Sequence, residues 1–128
     1  MNILLIGSGG REHAIAEAIG RSADHHTLHV APGNAGMLGM QLELDLDDHE
    51  EIVTFCENER IDLVIVGPEA PLVNGLADDL LACGVACFGP SAAAARLEGS
   101  KAFTREFASR HGIPGPRSAK FTDVEQAV

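Results

Sequence analysis

Gly7-Ser8-Gly9-Gly10-Arg11-Glu12-His13-Ala14 follows directly on the apolar run Ile3-Leu4-Leu5-Ile6. A strand that runs into clustered glycines and then a helix presents backbone N–H groups, and the positive end of the helix dipole, to an anion. Gly9 and Gly10 let the backbone approach a ligand closely, and Arg11 adds a fork for phosphate oxygens. Glu12 would oppose a bare phosphate, so it faces a sugar hydroxyl, an amine or Arg11 itself. The dinucleotide fingerprint Gly-x-Gly-x-x-Gly is only half met. Gly7 and Gly9 fill its first two places, but Glu12 stands at the third and cannot give the close helix–strand approach of a glycine. The second strand then ends in Ala31-Pro32-Gly33, without the acid that would bind a ribose 2′-hydroxyl. The loop therefore reads as an anion site for something other than NAD. His13, one residue deeper, reads as structural.

Two further stretches carry chemistry. Pro32-Gly33-Asn34-Ala35-Gly36 offers the Asn34 amide and exposed backbone. Val66-Gly67-Pro68-Glu69-Ala70-Pro71-Leu72 sets Glu69 between two prolines, whose rings stiffen the backbone and aim a carboxylate suited to the vicinal hydroxyls of a ribose. Lys101, in Leu97-Glu98-Gly99-Ser100-Lys101, is by itself a solvated charge that gains meaning only beside a nucleotide.

The elements that position these residues alternate. Strands are expected at 2–6, 27–31, 61–66 and 85–88, with a short strand or edge segment at 42–46. Helices are expected over Arg11–Gly20, with Ala14, Ile15, Ala18 and Ile19 at helical spacing, and from Asp47 or Asp48 to about Arg60. A third runs from about Pro71 to Cys83, an Ala-rich one from Ser91 to Leu97, and another from Lys101 to His111. Gly112-Ile113-Pro114-Gly115-Pro116 breaks the chain. A strand at 117–121 and a helix opened by Thr122 and Glu125 follow. Short unalternating strands separated by helices call for an α/β fold, a Rossmann-like parallel sheet with helices on both faces. In such sheets ligands sit outside the carboxyl ends of the strands, where the loops 7–13, 32–36 and 67–71 converge. Residues 1–99 form that domain, and residues 100–128 form a linker helix and the start of something longer.

The composition fits. The chain has 128 residues, 45% of them apolar, with five Phe and neither Trp nor Tyr, so the core is built from aliphatic side chains. A net charge of −10 argues against nucleic acid, whose phosphates need clustered Lys and Arg, but leaves room for one small anion held by backbone. No apolar run approaches the ~20 residues of a membrane span. The odd cysteine count (Cys56, Cys83, Cys87) and the lack of a secretory signal read as a cytoplasmic chain with free thiols.

Five stretches in this order and spacing make a resemblance specific: residues 7–14, 32–36 and 66–72, then Phe88-Gly89-Pro90-Ser91 and Leu97-Glu98-Gly99-Ser100-Lys101-Ala102-Phe103. Together they resemble the N-terminal part of the glycinamide ribonucleotide synthetase family of ATP-grasp ligases, over essentially the whole chain. The resemblance implies a pre-ATP-grasp domain followed by the opening of the ATP-grasp region. It also implies a step of de novo purine synthesis. ATP, glycine and 5-phosphoribosylamine give glycinamide ribonucleotide, ADP and phosphate through a glycyl phosphate. On the same basis Gly9, Gly10, Arg11, Glu12, Asn34 and Glu69 are expected to hold the phosphoribosyl substrate, and Lys101 to reach ATP phosphate. The family's Mg²⁺ or Mn²⁺ ligands are expected beyond Val128, so these residues alone should not catalyse the ligation. A monomer or a dimer is expected. Two readings compete: a stand-alone, non-catalytic domain binding a phosphorylated sugar or nucleotide, and a nicotinamide-dependent oxidoreductase resting only on Gly7-x-Gly9.

Overall fold

The computed structural model describes residues 1–123 and 125. Five strands, β1 (Asn2–Gly7), β2 (Thr27–Pro32), β3 (Met40–Gln41), β4 (Leu63–Val66) and β5 (Cys87–Phe88), form one sheet in the order β3-β2-β1-β4-β5. Every pairing is parallel; Leu5 lies opposite Val30 on one side and Ile65 on the other. β1 is thus the innermost strand, which explains its unbroken apolar run.

Side chains of β1 alternate between two cores, as the pleat requires. Ile3 and Leu5 join Leu28, Val30, Met37 and Ala16 of α1 (Gly10–Gly20). Leu4 and Ile6 join the opposite core with Val64 and Val66. That core is covered by α2 (His49–Asn58) through Ile52 and Cys56, by α3 (Glu69–Val73) through Leu72, and by α4 (Leu76–Ala82) through Leu76 and Leu80. Helices therefore cover both faces, as the sequence predicts. α5 (Ala92–Gly99) and α6 (Lys101–Arg110) complete the described helices. Asp48 caps α2 through Glu51 N–H (3.0 Å), and Ser100 caps α6 through Phe103 N–H (3.3 Å).

The structure corrects several expectations. The edge strand is Met40–Gln41, not 42–46. Leu42 donates its N–H to Val30 O (2.8 Å), and the chain then leaves the sheet. Leu42, Leu44 and Leu46 still lie against the core, so their alternation reports one buried side and not ladder pairing. The helix expected from Pro71 to Cys83 is two helices, because Gly75 takes a left-handed φ of 102° between them. On α1 the inner face is Glu12, Ile15, Ala16 and Ile19, while Ala14 and Ala18 are exposed. Residues 117–121 form no strand. The helix expected after Thr122 falls largely on positions 124 and 126–128, outside the described residues.

The chain divides into two compact units, Met1–Ala95 and Arg96–Val128, where the sequence placed the boundary after Gly99. In the second unit Arg96 stacks on the Phe103 ring at 4.1 Å, and Thr104 bonds the Leu97 carbonyl. Among the described residues no helix is long and apolar enough to cross a membrane. All three cysteines are free. Cys56 is buried, and burial pushes its thiol up to about 11, with the nearby Cys87 adding to the shift.

Leu76 is fully buried at the start of α4. Leu76→Ala should cost about 2–5 kcal/mol through lost transfer energy and the cavity left behind. A lowered urea midpoint with an unchanged slope would confirm that α4 is anchored by this contact.

Candidate functional site

The loops after β1, β2 and β4 are joined at the carboxyl end of the sheet. Gly33 N–H reaches Gly7 O (3.2 Å), and the Asn34 side-chain amide donates to Ser8 O (2.9 Å). Asn34 Oδ1 also accepts from Gly36 N–H (3.0 Å), and the Asn34 carbonyl accepts from Gln41 Nε2 (2.6 Å). Asn34 thus braces the second loop against the first. His13 lies against that loop, where a Cβ at Gly36 would come within 2.9 Å of His13 Cε1.

Gly9 is the N-cap of α1 and Glu12 its third residue. Glu12 folds back under the turn, only 4% exposed, and its Oε2 accepts the Gly9 N–H at 2.8 Å. That is the returning half of a capping box, legible in a Gly-x-x-Glu spacing yet hidden by the search for a third glycine. Oε1 accepts from Arg11 Nε at 2.9 Å, and the other end of the guanidinium bonds the Gly67 carbonyl at the end of β4. Of the three partners the sequence left open for Glu12, the structure shows Arg11. Burial by itself pushes the Glu12 carboxyl up. The Arg11 hydrogen bond, the Gly9 N–H and the guanidinium charge outweigh it and hold the group below the usual carboxylate range.

The exposed side of the turn is open. A Cβ at Gly10 would meet nothing within 4 Å, and the Gly10 N–H, in the first helical turn, has no intrahelical acceptor. Arg11 is over half exposed although it bonds both Glu12 and the Gly67 carbonyl. Glu69 is the first residue of α3, N-capped by Pro68, and is exposed. Gly9, Gly10, Arg11, Asn34 and Glu69 therefore lie on the three joined loops. Glu12 lies beneath them, and Lys101 is exposed on α6 in the second unit. Among the described residues no group of three or more His, Cys, Asp and Glu side chains could hold a metal ion.

Residues 1–98 match the family described as phosphoribosylglycinamide synthetase, N domain. A phosphoribosylamine–glycine ligase of Rhizobium meliloti is 53% identical over 99% of this chain and 30% of its own length. The trifunctional purine biosynthetic protein adenosine-3 of Gallus gallus is 48% identical over 98% of the chain and 13% of its own length. The chain spans about 30% of the length of the ligases it matches. Among solved structures, glycinamide-RNase-transformylase T of Mycobacterium tuberculosis superposes with a TM-score of 0.70 at 18% identity, covering 91% of this chain and 37% of its own. The biotin carboxylase domain of a single-chain bacterial carboxylase gives 0.66 at 22% identity, over 99% and 33%. These two share the fold.

Because the Glu12 carboxyl is held below its usual 4.5, its ionised form contributes full stability above that pH and loses it as the pH falls through the lowered value. Glu12→Gln should be less stable than the native chain at neutral pH by about 1–3 kcal/mol. The deficit should narrow below about pH 4. Urea midpoints measured from neutral to acid pH check this, and a deficit constant across the range would show that the fold does not use the ionised form.

Proposed function

Because the chain belongs to the phosphoribosylglycinamide synthetase N-domain family, we propose that it supplies the phosphoribosyl-substrate side of an ATP-dependent ligase. The ligase joins glycine to 5-phosphoribosylamine. The glycine carboxylate takes the γ-phosphoryl group of ATP, releasing ADP, and the amine of phosphoribosylamine then attacks the glycyl carbonyl. Phosphate leaves, the amine gives up a proton, and glycinamide ribonucleotide is formed. The observation that carries this reading is the turn at Gly9–Gly10, open at Gly10 and tied by Arg11 to the Gly67 carbonyl, two residues before the exposed Glu69.

In this reading the 5-phosphate sits over the first turn of α1. The Gly10 N–H and the helix dipole face it, and the Arg11 guanidinium adds positive charge beside it. Arg11 also stands between the phosphate and the buried Glu12 charge, so the two anions do not meet unscreened. Glu69 accepts hydrogen bonds from the ribose hydroxyls, and Asn34 shapes the wall between the first two loops. Lys101 reaches ATP phosphate. Mg²⁺ or Mn²⁺ would neutralise phosphate charge during transfer. The residues described here offer it no ligand cluster, so none is assigned to it. The enzyme works in the cytoplasm, which suits three free cysteines.

The full-length ligase should release ADP only when glycine and phosphoribosylamine are both present; release indifferent to phosphoribosylamine would sink the reading. Gly10→Val, which puts a branched side chain into the open space, should raise the KM for phosphoribosylamine by about tenfold or more with little change in those for ATP and glycine. Glu69→Ala should raise it by about three- to thirtyfold, as expected for one or two lost hydrogen bonds to hydroxyls. Native affinity in both variants would show that the substrate lies elsewhere.

A further inference from the structure

We propose that Glu12 is a positioning residue and not a substrate contact, and that position 67 is held to glycine by the space Glu12 occupies. Both Glu12 oxygens are already engaged, Oε2 by Gly9 N–H (2.8 Å) and Oε1 by Arg11 Nε (2.9 Å), and the residue is nearly sealed from solvent. Three glycines make that pocket. A Cβ at Gly7 would come within 2.5 Å of Glu12 Cγ, and one at Gly9 within 2.8 Å of Oε2. A Cβ at Gly67 would fall on Oε1, Cγ and Cδ together.

Gly67 is the informative member. Gly7 has a φ of 131°, which excludes most side chains on backbone grounds alone. Gly67 is not among the glycines with positive φ, so its backbone would accept an L residue, and the three atoms nearest a Cβ there all belong to Glu12. The Arg11 guanidinium closes the link by bonding the Gly67 carbonyl while it holds Glu12. Glu12 and Arg11 therefore set the spacing between the Gly9–Gly10 turn and Gly67, which follows β4 and stands two residues before Glu69. A side chain at 67 must expel Glu12, and the loss is felt at Gly9, on another strand's loop. The kinetic consequence rests on the phosphoribosyl reading above; the clamp itself does not.

The test is a double-substitution cycle in the full-length ligase with two readouts. The first is amide hydrogen exchange at Gly9, whose N–H Glu12 holds, with no ligand present. The second is steady-state kinetics with each substrate varied in turn. Glu12→Ala and Gly67→Ala should each speed exchange by about tenfold or more. Each should raise the KM for phosphoribosylamine about tenfold, leaving kcat and the other KM values within about twofold. Glu12→Ala/Gly67→Ala should be no worse than Glu12→Ala alone, because the methyl at 67 then has nothing to strike. Glu12→Gln, which keeps an acceptor for Gly9 but turns an amide toward Arg11, should fall between native and Glu12→Ala, and it serves if Gly67→Ala fails to fold. A raised KM with unchanged exchange in Glu12→Ala would make Glu12 a ligand contact and overturn the proposal. Additive effects of the two substitutions would overturn the shared space. A native enzyme indifferent to phosphoribosylamine would remove the ligase reading alone, since the exchange readout judges the clamp without substrate.

Discussion

Removing a carboxylate from water costs several kcal/mol unless its oxygens find donors and a counter-charge. Glu12 has both, and the surrounding sequence is arranged so that it can. The glycines at 7, 9 and 67 leave room for it, Gly9 lends an N–H, and Arg11 lends charge while tying itself to Gly67. The loop after β1 and the loop after β4 are thus two ends of one polar contact laid across the top of the innermost strands. Asn34 does the same for the loop after β2, with uncharged groups at the surface. The polar groups of the three loops are thus committed to one another, while Gly10 stays open on its outer side.

Much of this was legible in the sequence. Continuous apolar runs gave β1 and β4, and the breakers Gly7, Pro32-Gly33 and Gly67-Pro68 showed where each loop begins. Parallel topology followed from alternation of strand and helix, and it brought the three loops to one end. Leu42, Leu44 and Leu46 misled because an irregular segment lying on a core shows the same period of two as a strand. Gly75 was invisible because the apolar spacing of Leu72, Leu76 and Leu80 continues through it. On α1 two small apolar residues, Ala14 and Ala18, were set on the inner face, which Glu12 occupies in fact. A charged residue on a buried face is unreadable until the space that holds it is located, and one wall of that space, Gly67, follows a different strand.

The two units differ in how they can handle anions. Six of the nine Lys and Arg residues (Arg96, Lys101, Arg105, Arg110, Arg117 and Lys120) lie after Ala95. The first unit holds only Arg11, Arg21 and Arg60 among many acids. An anion meeting that unit would find backbone N–H groups and few cations, an arrangement that favours discrimination by shape over charge.

The left-handed Gly75 separates two tasks that a continuous helix would have joined. In one helix the direction of Glu69 would be locked, at about 100° per residue, to the directions of Leu76 and Leu80. Any drift in the packing of the anchor would then rotate the carboxylate. With the break, α4 can settle against the sheet as its leucines dictate while the turn at Pro68–Pro71 keeps its own bearing. The joint between core and crevice is the pair Asn74–Gly75, whose second residue has no side chain.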